Sequence, residues 1–274
     1  MRIAVIAPGA MGAAVAHRLH DRGAEIAVTL AGRGPGSAAR AAGLLAFDSE
    51  AALAGWADAV LSILPPGEAL NLARRLAPLL RPGTLYADCN AVSPQTVRRV
   101  AAALPGARFV DAGIIGGPPG ANGPGPRFYA SGDHAAALDP LIGWGIDWRA
   151  IEGGIGAASA LKMSYAGITK GLTALGSAMV LGAEAAGAAA ALRAELMVSQ
   201  PELMRYFSRS VPDMFDKAYR WVAEMEEISA FLGDSPAGGI HAAMARLYEA
   251  LAQDRAAGNA DGRVAKLAAF FPKP

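Results

Sequence analysis

The first twelve residues restrict this chain's fold more than any other stretch. Arg2-Ile3-Ala4-Val5-Ile6 is a short apolar run of the kind that forms a buried strand, and Ala7-Pro8-Gly9-Ala10-Met11-Gly12 turns it sharply into a helix predicted over 13–22. Small residues at 9 and 12 let the backbone approach a bulky anion. Such an anion would rest on the unpaired amides and the positive dipole end of the helix, which is how a pyrophosphate is held. The hexad is a variant of G-x-G-x-x-G, because Ala7 stands where the first glycine would be. Alanine still allows the tight turn provided its φ stays negative. Pro8, Gly9, Ala10, Met11 and Gly12 are therefore the first candidate dinucleotide-binding residues.

The next strand signal is Glu25-Ile26-Ala27-Val28-Thr29-Leu30, which completes a βαβ unit of about thirty residues. Its end bears on the choice of cofactor. About twenty residues past the glycines, an acid would bond the adenine ribose hydroxyls of NAD, whereas an arginine accommodates the extra phosphate of NADP. Here the chain reads Ala31-Gly32-Arg33-Gly34, without Asp or Glu. The expectation is NADP(H), with Gly32 and Arg33 at the adenosine end, the guanidinium forking onto the 2′-phosphate, and Ser37 as a hydroxyl partner.

Strands and helices go on alternating through 58–64, 67–80, 84–88, a helix opened by Ser93-Pro94, 108–112 and 128–131. That order implies a Rossmann-type, doubly wound α/β fold with a mostly parallel sheet covered on both faces. Ligands in such sheets bind off the carboxyl ends of the strands, where Gly9, Leu64, Pro65, Asn90 and Gly116 fall. Beyond Gly153 strand signals cease. Segments 157–196, 201–207, 214–232 and 240–253 read as helices, so the expected organisation is a dinucleotide domain over 1–153 and an all-α domain over 154–274. Gly167, Gly171, Gly176, Gly182 and Gly187 fall within the first of these helices. They imply close approach of another helix, a homodimer contact through the helical domain, or a break in the helix.

Composition excludes several classes. With 274 residues, 53% hydrophobic and 18% charged, the chain can bury a large core. Its formal net charge of +1, with no long basic run, leaves no electrostatic footprint for nucleic acid or an anionic membrane. The most apolar window, 171–192, is rich in Ala and Gly and contains Glu184, which argues against a membrane span. One cysteine, Cys89, cannot form an intrachain disulfide, and the start carries no secretory pattern, so a cytoplasmic enzyme is expected. His17 and His20 share a helical face but have no cysteine or acidic partner in the pattern. They read as surface residues, with no metal.

Four blocks in order resemble the β-hydroxyacid dehydrogenase superfamily, which includes 3-hydroxyisobutyrate and 6-phosphogluconate dehydrogenases. They are Pro8-Gly9-Ala10-Met11-Gly12; Asp88-Cys89-Asn90-Ala91-Val92-Ser93-Pro94; Asp111-Ala112-Gly113-Ile114-Ile115-Gly116-Gly117 followed by Gly120-Ala121-Asn122-Gly123; and Gly156 with Lys162 six residues later. The resemblance implies that Lys162 is the general acid/base, taking the substrate hydroxyl proton as hydride leaves the carbinol carbon and returning it in reduction. It also implies substrate contacts at Asn90, Ile115, Gly116, Gly117 and Tyr165. Two departures remove polar groups: Ala166 stands for an asparagine and Ile115 for a serine, so a more apolar pocket for a small to medium hydroxy acid, alcohol or carbonyl is expected. Tyr165 is either a hydroxyl donor or a buried core aromatic. The prolines of 117–126 make a stiff wall facing the substrate, and Arg220, Trp221 and Glu224 either close the pocket or pack one helix. An imine reductase, which usually lacks the lysine, and an inactive NADP(H)-binding sensor are the alternatives.

Overall fold

The computed structural model describes residues 1–120 and 123–272, so the readings attached to Ala121 and Asn122 lie outside the described residues. The chain forms two compact units, Met1–Met163 and the remainder from Ser164. In the first unit the order is β1 (Arg2–Ile6), α1 (Ala10–Asp21), β2 (Glu25–Thr29), α2 (Pro35–Arg40), β3 (Leu45–Phe47), α3 (Glu50–Trp56), β4 (Ala59–Ser62), α4 (Ala69–Leu76), β5 (Leu85–Asp88), α5 (Pro94–Ala102), β6 (Arg108–Ile115), β7 (Arg127–Ser131) and β8 (Asp147–Ala150). The strands join in one sheet ordered β3-β2-β1-β4-β5-β6-β7-β8. Every pairing is parallel except β6 with β7. A parallel return needs a crossover helix, and the segment between β6 and β7 has none among the described residues, so β7 turns back antiparallel.

The period-two pattern of β1 explains the two-faced core. Ile3 and Val5 join Val15, Ala16 and Leu19 of α1 on one face of the sheet, while Ala4 and Ile6 join Leu53, Leu72, Leu76, Val97 and Val100 on the other. Central strands buried on both faces read as continuous apolar runs, which is why β1, β2, β4, β5 and β6 stand out in the sequence. The two strands the sequence reading misses, β3 and β8, lie at the sheet edges. β3 is only three residues long with exposed Leu45 and Ala46, and β8 buries Trp148 alone.

The helix α6 (Ala157–Ala185) begins in the first unit and carries the chain into the second. It is followed by α7 (Ala189–Ser199), α8 (Pro201–Met214), α9 (Ala218–Leu232), α10 (Pro236–Ala257) and α11 (Arg263–Phe270). The single helix expected over 157–196 is broken at Gly187, whose φ of 71° is left-handed. Three other glycines in α6 admit neighbours of the same unit. A Cβ on Gly167 would press on His241 and Ile228, one on Gly171 would meet Met244, and one on Gly176 would sit 2.7 Å from the Phe207 ring. The small residues therefore serve packing within the helical unit. Among the described residues no helix is long and apolar enough to cross a membrane.

The edge of the sheet opposite the glycine turn is tied by Asp58. Its carboxylate accepts from the Arg2 backbone N at 3.0 Å, from Arg2 Nη2 at 2.9 Å and from Arg81 Nη2 at 2.8 Å. These guanidinium and amide bonds hold the carboxyl well below the usual carboxylate range. A carboxyl lowered in the folded state stabilises above its unfolded pKa and loses that contribution as pH falls through the ordinary carboxylate range. Stability should accordingly begin to decline at about pH 5 and go on falling as the pH drops below the usual carboxylate range, and Asp58→Asn should flatten that decline. Because the side chains are 35–47% exposed, the effect at neutral pH is expected to stay below about 1 kcal/mol. Thermal unfolding of both proteins across that pH range measures it, and superimposable pH profiles would refute the role.

Candidate active site

The strand order β3-β2-β1-β4-β5-β6 reverses direction between β1 and β4, and a doubly wound sheet opens its ligand crevice at such a switch point. Register aligns the floor of the crevice. Ile6 pairs with Ser62, Ser62 with Asp88 and Asp88 with Asp111, so β1, β4 and β5 all stop at one row while β6 continues to Ile115. From that row emerge the glycine turn, Leu64-Pro65 and Asn90.

At the turn, Gly9 is the N-cap of α1, with extended backbone and no side-chain cap, and the first turn holds no acid. The amides of Ala10, Met11 and Gly12 belong to this first turn and have no intrahelical acceptor. A Cβ on Gly9 would meet nothing within 4 Å, whereas one on Gly12 would overlap the Ala7 carbonyl oxygen. The two glycines thus do different work: Gly12 lets α1 pack against the end of β1, and Gly9 leaves open space over the amides. An open, acid-free helix start fits a pyrophosphate. Ala7 keeps a negative φ, since among the described residues only glycines have positive values.

Asn90 is 2% exposed. Its Oδ1 accepts from Leu64 N at 2.7 Å and its Nδ2 donates to Ser62 Oγ at 2.9 Å, so the amide fixes the Leu64-Pro65 turn at the end of β4. Pro65 is exposed and Leu64 half-buried. Gly32, with φ of 68°, and Arg33 are exposed in the turn after β2. The sequence reading stopped there and missed Arg40. At the end of α2, its Nε donates to the Pro8 carbonyl at 3.4 Å and its Nη2 to Ser37 Oγ at 3.3 Å, while its own carbonyl bonds His17 Nε2 at 2.8 Å. A second guanidinium therefore borders the glycine turn, and its only sequence signal is a seven-residue spacing from Arg33. His20 is exposed, and among the described residues no group of three or more His, Cys, Asp or Glu could hold a metal ion.

Lys162 is carried to the same edge of the sheet by a network around Asp111. That buried carboxylate accepts from Gly156 N at 2.8 Å, Ser159 N at 3.1 Å, Ser159 Oγ at 2.7 Å and Ser131 Oγ at 3.1 Å, and Ser131 Oγ in turn accepts from Ala158 N at 3.0 Å. The amides that open α6 are thereby satisfied from β6 and β7. One turn on, α6 crosses β6 at Gly113, where a Cβ would lie 2.9 Å from Lys162 Cβ and 3.1 Å from the Ala158 carbonyl. Gly113 is two residues past the row of strand ends, about 7 Å further along β6. Half-buried Lys162 so stands beyond the strand ends, on the side from which the glycine turn emerges. Asp111 was legible only as a letter in a motif; its role depends on Ser131, Gly156 and Ser159, which sequence does not connect.

The remaining candidates divide. Ile115 is 5% exposed at the end of β6, and Gly116 and Gly117 are exposed just beyond, Gly116 with φ of 127° and Pro126 where its Cβ would be. Arg18 of α1 donates to the carbonyls of Gly120 and Gly123, the latter at 2.8 Å, and so ties the proline-rich segment to the helix that starts at the glycine turn. In the second unit Tyr165 is 47% exposed, which corrects the reading of it as a core aromatic, and Ala166 is 2% exposed. Glu224 pairs with Lys170, and the Lys170 ammonium sits 4.9 Å over the Trp221 ring. Trp221 and Glu224 thus bind α9 to α6, and Arg220 is exposed.

Residues 2–139, just over half of the chain, match the family model described as the NAD binding domain of 6-phosphogluconate dehydrogenase. The chain belongs to this NAD-binding family. Residues 183–251 match a domain of unknown function, DUF1932. A conserved protein, MTH1747, reported as structurally similar to 3-hydroxyacid dehydrogenases, superposes with a TM-score of 0.71 at 28% identity, over 94% of this chain and 100% of that one. Mycobacterium tuberculosis 3-hydroxyisobutyrate dehydrogenase with L-serine gives 0.68 at 22% identity over 98% and 99%. An Aspergillus terreus reductive aminase with NADPH, cyclohexanone and allyl amine gives 0.57 at 18% over 98% and 99%. The latter two share the fold. A 28.5 kDa protein of Methanothermus fervidus is 31% identical over 118 residues, which span 43% of this chain and 45% of that protein. The NAD-binding unit and the helical unit after it are thus those of the hydroxyacid dehydrogenase-like fold.

The packing at Gly113 makes a direct prediction. Gly113→Ala forces apart β6 and the start of α6 and should destabilise the protein by about 1–3 kcal/mol. Gly9→Ala, which meets open space at a negative φ, should change stability by less than about 0.5 kcal/mol. Urea unfolding compares them, and equal midpoints would sink the assignment of Gly113 as the contact that seats α6.

Proposed function

We propose that this protein is an NADP(H)-dependent oxidoreductase that interconverts a small to medium hydroxy acid or alcohol with its carbonyl, with Lys162 as general acid/base. The observation that carries the reading is the seating of Lys162 on Gly113, at the same edge of the sheet as the open helix start of α1. The nicotinamide supplies or accepts the hydride. The chain's residues do the rest. The amides after Gly9 neutralise the pyrophosphate, and Asn90 keeps the Leu64-Pro65 turn in place beside it. In oxidation neutral Lys162 Nζ takes the hydroxyl proton as the carbinol carbon gives up its hydride, leaving a carbonyl; in reduction the ammonium donates that proton back. Exposed amides at Gly116 and Gly117 are available to a carboxylate, and apolar Ile115 beside them favours a substrate with little further polarity.

The preference for NADP(H) rests on the turn after β2, which offers Arg33 and no acid, and on Arg40 beside Ser37. A guanidinium pair compensates a 2′-phosphate dianion but gains nothing from a ribose hydroxyl.

Lys162→Met should abolish turnover while leaving the dissociation constant for NADPH within about twofold, read by a broad screen of hydroxy acids, alcohols and cyclic imines together with fluorescence titration. Substantial residual activity would exclude the lysine, reduction of cyclic imines alone would assign imine chemistry, and tight NADPH binding without turnover of any substrate would mark a sensor. Separately, Arg33→Ala should raise the KM for NADPH at least tenfold more than that for NADH, about 1.4 kcal/mol of lost phosphate contact. Equal effects on the two cofactors would refute NADP(H) selectivity.

A further inference from the structure

Register across β6, β7 and β8 decides which side chains share a face of the sheet with Lys162. Asp111 pairs with Ser131, Gly113 with Tyr129 and Ile115 with Arg127, and Arg127 pairs in turn with Asp147 of β8. Residues opposite one another point to the same face, and successive residues along a strand point to opposite faces. Phe128 and Ala130 pack with Ala112 and Ile114 on the face that α1 covers. Arg127, Tyr129 and Ser131 therefore face the other way, towards the start of α6, the side on which Ser131 bonds Asp111 and Gly113 meets Lys162. Arg127 is the exposed end of that row, diagonal to the residue on which Lys162 is seated. Diagonal neighbours on two antiparallel strands lie about 7–8 Å apart, within reach of a long side chain. The residue falls outside the four sequence blocks, and only the register of β7 brings it beside Lys162.

The neighbouring strand keeps the Arg127 guanidinium available. Asp147, its partner in register, is held by Arg149, whose Nε and Nη2 donate to the two carboxylate oxygens at 2.7 Å and 2.8 Å. Those bonds are the main reason that the Asp147 carboxyl lies below the usual carboxylate range, and the Arg127 charge adds a smaller pull. Arg149 in turn rests over Tyr129, 5.7 Å from the ring centre. Among the described residues Arg127 itself forms no hydrogen bond or ion pair. The acid that could neutralise it is already committed.

We propose that Arg127 binds the carboxylate of the substrate, so that the chain selects hydroxy and oxo acids over neutral alcohols, ketones and imines. The assignment rests on the oxidoreductase reading of Lys162 and adds the group that chooses among its substrates. A guanidinium meets a planar carboxylate with two parallel N–H bonds, a geometry that a lone ammonium lacks. The exposed amides of Gly116 and Gly117 follow directly on Ile115, the residue opposite Arg127, and can fill the acceptor sites that the fork leaves. Ile115 shares that face and gives the carbon chain an apolar contact. With Lys162 Nζ on the hydroxyl or carbonyl oxygen and Arg127 on the acid, a small substrate is held at two points, which orients its carbinol hydrogen.

Isothermal titration of the NADPH-bound protein with butyrate, isobutyrate and isovalerate, which lack a reacting hydroxyl, reads the anchor apart from turnover. At least one of these acids should bind. Arg127→Leu should weaken that binding about thirtyfold, the loss expected of a charge-assisted bond, while leaving the dissociation constant for NADPH within about twofold. Arg127→Lys, which keeps the charge and loses the fork, should stay within about fivefold of the parent chain. In the turnover screen, Arg127→Leu should raise the KM of each hydroxy acid about thirtyfold and leave that of its methyl ester within about twofold. A parent chain that binds none of the acids, equal binding by the parent and Arg127→Leu, or a substrate range confined to neutral alcohols or imines would each overturn the anchor. Acid binding that depends on Arg127 in a chain that turns over no substrate would support the anchor and refute the oxidoreductase reading instead.

Discussion

One buried carboxylate connects the two kinds of structure in this chain. Asp111 lies in the last full row of the parallel sheet, pairing with Asp88 on one side and Ser131 on the other, yet its oxygens take up the amides that begin α6. A buried charge survives only where its acceptor capacity is filled, and the unpaired amides of a helix start are the donors that a fixed anion stabilises most. The interaction settles where α6 starts and in which rotation it leaves the sheet. The register of the first turns of that helix follows, Lys162 included. Removing the carboxylate would orphan four buried donors at once, the amides of Gly156 and Ser159 and the hydroxyls of Ser159 and Ser131, a far larger disturbance than the loss of one surface bond.

The Asp111 network also shows where sequence reading stops. The fold class was legible because it rests on local periodicity: central strands buried on both faces give unbroken apolar runs, and the βαβ order admits few topologies. Edge strands β3 and β8 carry no such run, having one neighbour and little burial, and were not seen. Gly9 and Gly12 were legible as a pair, but only coordinates distinguish the one that packs from the one that leaves room. Arg40, Arg18 and Asp111 act on partners 32, more than 100 and up to 48 residues away. No pattern within a window of the chain encodes those separations. Of the two readings the sequence left for Tyr165, hydroxyl donor or core aromatic, its 47% exposure removes the second.

The two sides of α6 in the helical unit differ in what they meet. On one side Lys170 is shielded by Trp221 and neutralised by Glu224, while the Tyr248 and Tyr206 hydroxyls donate to the Lys170 and Thr169 carbonyls. Both hydroxyls cap α6 carbonyls, so the polar groups of the inner face are satisfied among buried Ala166, Ala174 and Val180. The outer face exposes Ser164 and Tyr165 together with the apolar Ile168, Leu172, Leu175 and Met179.

The same economy applies to the candidate active site. A side-chain hydroxyl is missing at Ile115, and Asn90 is committed to the backbone of Leu64 and to Ser62, so most of the polar groups that remain at the strand ends are main-chain amides. Main-chain amides are fixed by the sheet and cost no side-chain ordering, which suits them to a feature common to many substrates, such as a carboxylate or a pyrophosphate. They are poor at distinguishing one substituent from another. A site built to hydrogen-bond a hydroxyl rejects an analogue lacking it strongly, whereas an apolar wall discriminates a methylene by only about 1–3 kcal/mol. On the proposed function, a wall of this kind selects by size and shape more than by the pattern of hydroxyl groups.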